Sequence, residues 1–194
     1  MDSPCTAVEW ILVRHTAVDV PPGTCYGQMD IPLAGSFPHD AEAVRMELSR
    51  IFQDTAPDLV FSSPSSRCTA LATACGWPDC VTDARLMERS FGSWEGLRYD
   101  DIADSRLKDY YEDWLHTAPT GGESFTDQLA RVRRFLECTK NILLSDESRK
   151  TRPKVLIFTH GGVISAACVL TGACAAEDAW SHCPPYGGII SLRY

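Results

Sequence analysis

Short apolar runs recur along the chain, each closed by glycine, serine or a charged residue. Trp10, Ile11, Leu12 and Val13 form the first. It is rich in β-favouring side chains and lacks polar alternation, the pattern of a strand buried on both faces. Residues 58–62, with Leu59, Val60 and Phe61, and residues 154–159 repeat it. Residues 80–82 offer a short further strand, and residues 187–193 a last one, antiparallel at or near an edge. Between these runs the period becomes helical. Ala41, Val44, Leu48 and Ile51 mark a helix over 38–52, residues 64–75 form a second with Pro64 suited to its start, and an apolar segment over 163–170 follows two glycines. Strand and helix in alternation predict right-handed crossovers and a mainly parallel sheet. The alternation is interrupted by a loop around residues 91–96, a polar and aromatic helix over 100–115, and a longer helix over 124–144 with Phe125, Leu129, Val132 and Leu136 on its apolar face. The expectation is a single α/β domain over 1–194. It would be a three-layer sandwich with a mainly parallel central sheet, helices on both faces, and a helical cap inserted at about 85–150.

Composition narrows the class. At 194 residues the chain suits one well-cored domain, and a net charge of -8 argues against a nucleic-acid or membrane-surface partner, since a polyanion would be repelled without a concentrated basic face. Arg131, Arg133 and Arg134 lie together on a helical pattern and read as a solvated face. The nine cysteines are odd in number and include no Cys-x-x-Cys pair. Several, such as Cys75, Cys138 and Cys168, sit in apolar or helical surroundings, which predicts buried free thiols. No apolar run reaches the length of a membrane span, and no basic region with an apolar signal core opens the chain, so a reducing cytoplasm is the expected location.

Candidate chemistry sits at the predicted strand ends. Arg14 and His15 follow the first strand, Ser63, Pro64 and Arg67 follow the second, and His160 follows residues 154–159 and precedes Gly161 and Gly162. Carboxyl ends of parallel strands are where α/β proteins bind ligands. An Arg-His pair alone would merely polarise a strand terminus, but a second histidine in the same context changes the reading. The glycines let backbone approach a ligand, and the N–H groups opening the next helix favour an anion, with phosphate the natural candidate.

Four motifs carry a family resemblance: Arg14-His15-Thr16; Ser62-Ser63-Pro64 with Arg67, Thr69 and Ala70; Glu88 with Phe91-Gly92-Ser93-Trp94-Glu95-Gly96; and Thr159-His160-Gly161-Gly162. In order and spacing, over nearly the whole chain, they resemble the histidine phosphatase (phosphoglycerate-mutase-like) superfamily. Within it, Thr16, Cys25-Tyr26-Gly27-Gln28 with Asp30, Pro32 and Leu33, and residues 119–124 resemble α-ribazole phosphatases, which remove the 5′-phosphate of the cobalamin lower-ligand nucleoside. The resemblance implies a phosphomonoester hydrolase acting through a phosphohistidine, with α-ribazole 5′-phosphate as substrate in cobalamin nucleotide-loop assembly. Sugar, nucleotide and broad-specificity phosphatases are the alternatives on the same scaffold. A catalytically silent phosphate-binding regulatory module is the alternative of another class, and the joint presence of Arg14, His15, Arg67, Glu88 and His160 argues against it.

It further implies roles. His15 is the nucleophile, its second nitrogen held by a backbone acceptor and its pKa lowered by nearby positive charge. Arg14 and Arg67 fork the phosphate oxygens, with His160, protonated when phosphate is bound, as a further donor. Glu88 is the general acid, its pKa raised. Thr16, Tyr26, Gly27, Gln28 and Gly161 line the substrate alongside Arg14, Arg67 and His160. Glu95 is a competitor for the acid role, but more simply supports the loop or contacts Arg98. His39, His116 and His182 carry less weight, Glu123 and Ser124 open a helix, and Tyr26, Trp94, Trp114 and Tyr186 could stack on a base but are more simply packing residues. No cofactor or metal is implied: no His-x-x-x-His pair or acidic cluster has ligand spacing, and the arginines supply the positive charge. Relatives carry an asparagine six positions after the nucleophilic histidine, where this chain has Pro21, so Gln28 or a backbone N–H is the expected substitute. Thr16 and Pro21 point away from a mutase and toward hydrolysis.

Overall fold

A computed structural model describes residues 7–53, 55–145 and 151–194. Its first strand, β1 (Glu9–Arg14), buries all four central residues. It does so because it is flanked on both sides, by parallel β4 (Lys154–Thr159) and by antiparallel β5 (Ile189–Arg193). Beyond β4 lie β2 (Leu59–Ser62) and the two-residue β3 (Val81–Thr82), both parallel, giving the order β3-β2-β4-β1-β5. The expected mainly parallel sheet with one antiparallel edge strand is the sheet observed.

The strands' period of two sorts the core into two layers. Trp10, Leu12, Val155 and Ile157 face α4 (Phe125–Leu144) and α5 (Gly161–Leu170), meeting Val132, Phe135, Leu136, Val163 and Ile164. Ile11, Val13, Leu156 and Phe158 face the other way, onto Ala41, Val44 and Leu48 of α1 (Phe37–Phe52) and Cys68, Leu71 and Ala72 of α2 (Ser66–Ala74). Helix α4 starts where expected because Ser124 and Asp127 form a reciprocal capping box.

Three expectations need correction. Helix α2 starts at Ser66, with Ser65 as its N-cap, so Pro64 lies in the preceding turn and not in the first helical position. The stretch expected as a helix over 100–115 is helical only in α3 (Arg106–Glu112), with a single 3-10 turn at Tyr99–Asp101 before it. Asp104 intervenes, its carboxylate accepting from Trp94 Nε1 and from the Arg106 N–H, and such local side-chain bonds compete with helix. The described cysteines are free thiols and Cys75 and Cys168 are buried, but Cys138 is exposed on the outer face of α4. Among the described residues no helix is long and apolar enough to cross a membrane.

Candidate active site

The register of β1 on β4 pairs Arg14 with Thr159, so the next residues, His15 and His160, leave the sheet side by side. Their rings meet edge to face with centroids 5.2 Å apart. Ser62 of β2 pairs with Phe158, which brings Ser63 to the same end, where its hydroxyl lies 2.7 Å from His160 Nε2. Three strand ends thus converge, as the sequence predicted.

His15 is only 2% exposed. Its Nδ1 lies 2.8 Å from the Thr16 carbonyl oxygen, the backbone acceptor expected in the following loop. A neutral ring donating there leaves Nε2 with a free lone pair. Burial, followed by the charge of Arg67 and more weakly of Arg14, and opposed by the Thr16 bond, lowers the His15 pKa to about 3. Positive charge does lower it as expected, but burial is the larger cause. His160 is fully buried and, through burial, Arg67 and His15, is also held well below the ordinary histidine range, so it is neutral in the free protein. Arg67 Nη2 lies 3.1 Å from His160 Nδ1, which fixes that nitrogen as the acceptor and Nε2–H as the donor to Ser63.

The two arginines are oriented by main-chain carbonyls. Fully buried Arg67 donates from Nη1 to Met29 O (2.9 Å) and from Nη2 to Gly27 O (2.7 Å). Gly27 has φ +30°, and a side chain there would collide with the Arg89 carbonyl and the Glu95 carboxylate. That carboxylate accepts from the N–H groups of Gln28, Met29 and Phe91, so Glu95 supports the loop and does not contact Arg98, which reaches Pro22 O and Asp100. Arg14 Nη1 donates to Pro184 O at 2.6 Å. Gly161 permits this packing, since a Cβ on it would meet Cys183 Sγ and the Arg14 guanidinium. Nε of both arginines is buried and unpartnered among the described residues.

Glu88 is held by three donors: the Arg89 N–H (2.8 Å), Gln128 Nε2 (3.1 Å) and the Gly162 N–H (3.1 Å). The last corrects the expectation that the amides opening α5 await phosphate. The Gly162 N–H is instead taken up by the protein's own Glu88 carboxyl oxygen. A Cβ at Gly162 would overlap Glu88 Oε1, which is why this position is glycine.

Two residues escaped the sequence reading. Gln128 is fully buried, a polar residue inside the apolar stripe of α4, and that interruption was the available signal. Arg131 was read as solvated with Arg133 and Arg134, but only the latter two are exposed. The Arg131 side chain is 12% exposed and pairs with Glu123 at 2.6 Å, while donating to the carbonyls of Arg85 and Glu88. Glu123 is therefore an ion-pair partner, and Ser124 is the cap.

Thr16 is buried with an unpartnered hydroxyl, Gln28 donates its side-chain amide to Glu88 O at 3.0 Å, and the hydroxyls of Tyr26 and Tyr186 meet at 2.7 Å. His39, His116 and His182 are exposed, and Trp94 is buried against Tyr110. Trp114 packs on Phe125 and Trp180. Arg89 is buried among Phe91, Tyr110 and Trp180, tying α3 to the wall of the site. A cavity of about 180 Å³ remains, reached by Arg14, His15 and Glu88 and walled by Tyr26, Phe91, Tyr99 and Trp180. No group of three or more histidine, cysteine or carboxylate side chains that could hold a metal occurs among the described residues.

A neutral buried imidazole, two oriented guanidinia and a carboxyl group thus gather at the carboxyl ends of the parallel strands of an α/β fold. Residues 10–194 match the histidine phosphatase superfamily (branch 1), and the chain belongs to that family. It is 33% identical, over 94% of its length and 87% of the relative's, to a Hydrogenobacter thermophilus protein provisionally named phosphoserine phosphatase 2. To the adenosylcobalamin/α-ribazole phosphatase of Escherichia coli it is 29% identical over 49% of this chain and 45% of that one. The crystal structure of the α-ribazole phosphatase of Shigella flexneri shares the fold at a TM-score of 0.79 and 23% identity, covering 95% of this chain and 89% of that one.

Proposed function

We propose that the chain is a metal-independent phosphomonoesterase that works through a phosphohistidine on His15. The observation that carries this reading is the shared cavity: His15, Arg14 and Glu88 all face it. His15 Nε2 attacks phosphorus as the ester P–O bond breaks, and Glu88, protonated, gives its proton to the leaving oxygen. The resulting carboxylate then takes a proton from the water that attacks the P–N bond, releasing phosphate and restoring the neutral imidazole. Arg14 and Arg67 hold the equatorial oxygens through both displacements, positioning and charge stabilisation being most of what phosphoryl transfer asks of a protein.

The substrate we favour is a small phosphomonoester such as O-phosphoserine. The cavity of about 180 Å³ falls below the roughly 300–1,000 Å³ that drug-sized ligands occupy, and the relative aligned over most of the chain bears a phosphoserine phosphatase name. A second reading, α-ribazole 5′-phosphate, is favoured by the aromatic walls Tyr26, Phe91, Tyr99 and Trp180, which could pack on a flat heterocycle. Rapid quench with a labelled substrate should give acid-labile, base-stable phosphate on the wild type and none on His15→Ala. A panel of O-phosphoserine, α-ribazole 5′-phosphate, phosphoglycerates, fructose bisphosphate and mononucleotides should give the highest kcat/KM to O-phosphoserine. Labelling that persists in His15→Ala would sink the mechanism, and faster turnover of α-ribazole 5′-phosphate would transfer the substrate assignment to it.

A further inference from the structure

The segment Cys183 to Tyr186, remote in sequence from every motif above, packs against Arg14 and His15 of the candidate phosphate site. Arg14 is gripped from two directions there. Its Nη1 donates to Pro184 O, and the face of its guanidinium lies on the Tyr186 ring, with Cζ 4.1 Å from the ring centroid. The same ring packs against His15 at 5.4 Å between centroids. Across the site, Tyr26 presents its ring to the Arg67 guanidinium at 5.5 Å. The two phenols then join at 2.7 Å, so residues 160 positions apart form one arch spanning both arginines.

Arg14 Nη1 and both terminal nitrogens of Arg67 are engaged with carbonyls, while the Nε atoms of both arginines are buried and have no partner among the described residues. A hydrogen bond between two phenols consumes one hydroxyl proton and leaves the second free to donate. Burial raises the Tyr26 pKa, so its phenol keeps its proton in the working range.

We propose that Tyr186 is a phosphate-positioning residue: its ring fixes the plane of Arg14, and its bond to Tyr26 places a neutral hydroxyl donor between the two arginines. The inference rests on reading Arg14 and Arg67 as phosphate ligands. It extends the site to a loop that contains no recognisable motif and assigns Tyr186 a role that packing alone would not give.

The test compares wild type with Tyr186→Phe, Tyr186→Leu and Tyr26→Phe, reading inorganic phosphate affinity by calorimetry, p-nitrophenyl phosphate kinetics and Tm. Tyr186 is 44% exposed, so the conservative Phe variant is expected to fold. Losing the hydroxyl while keeping the ring should weaken phosphate binding by about 10-fold, as expected for a hydrogen bond to a charged group, and raise KM in parallel with little change in kcat. Tyr26→Phe should do the same, and the double Phe variant should be no worse than either, because the pair acts as one unit. Tyr186→Leu should lose a further factor of about 3 as the ring leaves Arg14. Phosphate affinity unchanged in Tyr186→Phe overturns the proposal, and so does a loss that only follows a fall in Tm. A wild type that binds phosphate but hydrolyses nothing refutes the phosphatase reading while leaving the Tyr186 comparison intact. A wild type that binds no phosphate overturns both.

Discussion

Two neutral histidines buried side by side make the fold sensitive to mild acid, and the size of the effect follows from their surroundings. An unfolded histidine titrates near 6.5, whereas His15 in the folded chain titrates at about 3 and His160 well below the ordinary value. Below pH 6.5 the unfolded chain therefore binds protons that the folded chain refuses, and stability falls as pH falls. Each such group contributes about 1.4 kcal/mol per pH unit within that window. From pH 7 to pH 5 this amounts to about 2 kcal/mol for His15, and His160 adds to it in the same direction. Carboxylates do not blur the window. Asp83 and Asp127, held below 3.8 by Arg85 and by Ser124 respectively, surrender their contribution only below that value. With a urea m-value of about 2 kcal/mol/M, His15 alone should lower the unfolding midpoint of the wild type by about 1 M between pH 7 and 5, and His160 should lower it further. His15→Asn, which removes one titrating ring, should show a drop smaller than that of the wild type by about 1 M. Equal pH dependence in wild type and His15→Asn would refute the argument, because the acid sensitivity would then reside outside the site.

Two further outcomes bear on the chemistry. If Glu88 protonates the leaving oxygen, Glu88→Gln should depress turnover of O-phosphoserine, whose alkoxide needs a proton, far more than that of p-nitrophenyl phosphate, and should let phosphohistidine accumulate because the second step loses its base; equal losses on both substrates would remove Glu88 from the acid role. Exhaustive EDTA treatment should leave turnover intact, since Arg14 and Arg67 supply the positive charge that a divalent ion would bring, and a loss restored by one specific metal would refute this.

How much of this was legible beforehand depends on the range of the interaction. The sheet was readable because each strand is a contiguous apolar run, and the strand-end positions of Arg14, His15 and His160 follow from those runs alone. The bond from His15 to the Thr16 carbonyl was foreseeable for the same reason: donor and acceptor are sequence neighbours. Helix α3 was overextended because the competing bonds of Asp104 look, in sequence, like any acidic residue in a polar helix. Arg131 was misread because a helical wheel shows which residues share a face but not what packs on it. Its partner, Glu123, lies two helical turns away, and the carbonyls it braces lie more than forty positions off.

Glu88 shows why the proposed acid end of the site was harder to derive than the proposed nucleophile end. His15 is placed by β1 and by one bond to its neighbour. Glu88 sits in irregular chain, and besides the bond from Gln28 to its carbonyl oxygen, three contacts from the helices define its carboxylate and its backbone: Gln128 on α4, the Gly162 N–H opening α5, and Arg131 of α4 on its carbonyl oxygen. Each of these would be an ordinary residue without the other two. Gln128 would be a buried amide with nothing to bind, Gly162 a glycine of no evident purpose, and Arg131 a surface charge. Because α4 and α5 pack together on one face of the sheet, all three contacts depend on the same interface. A change in how those helices pack would therefore bear on Glu88 more directly than on His15, and the proposed phosphoryl site is stable only in so far as that interface is.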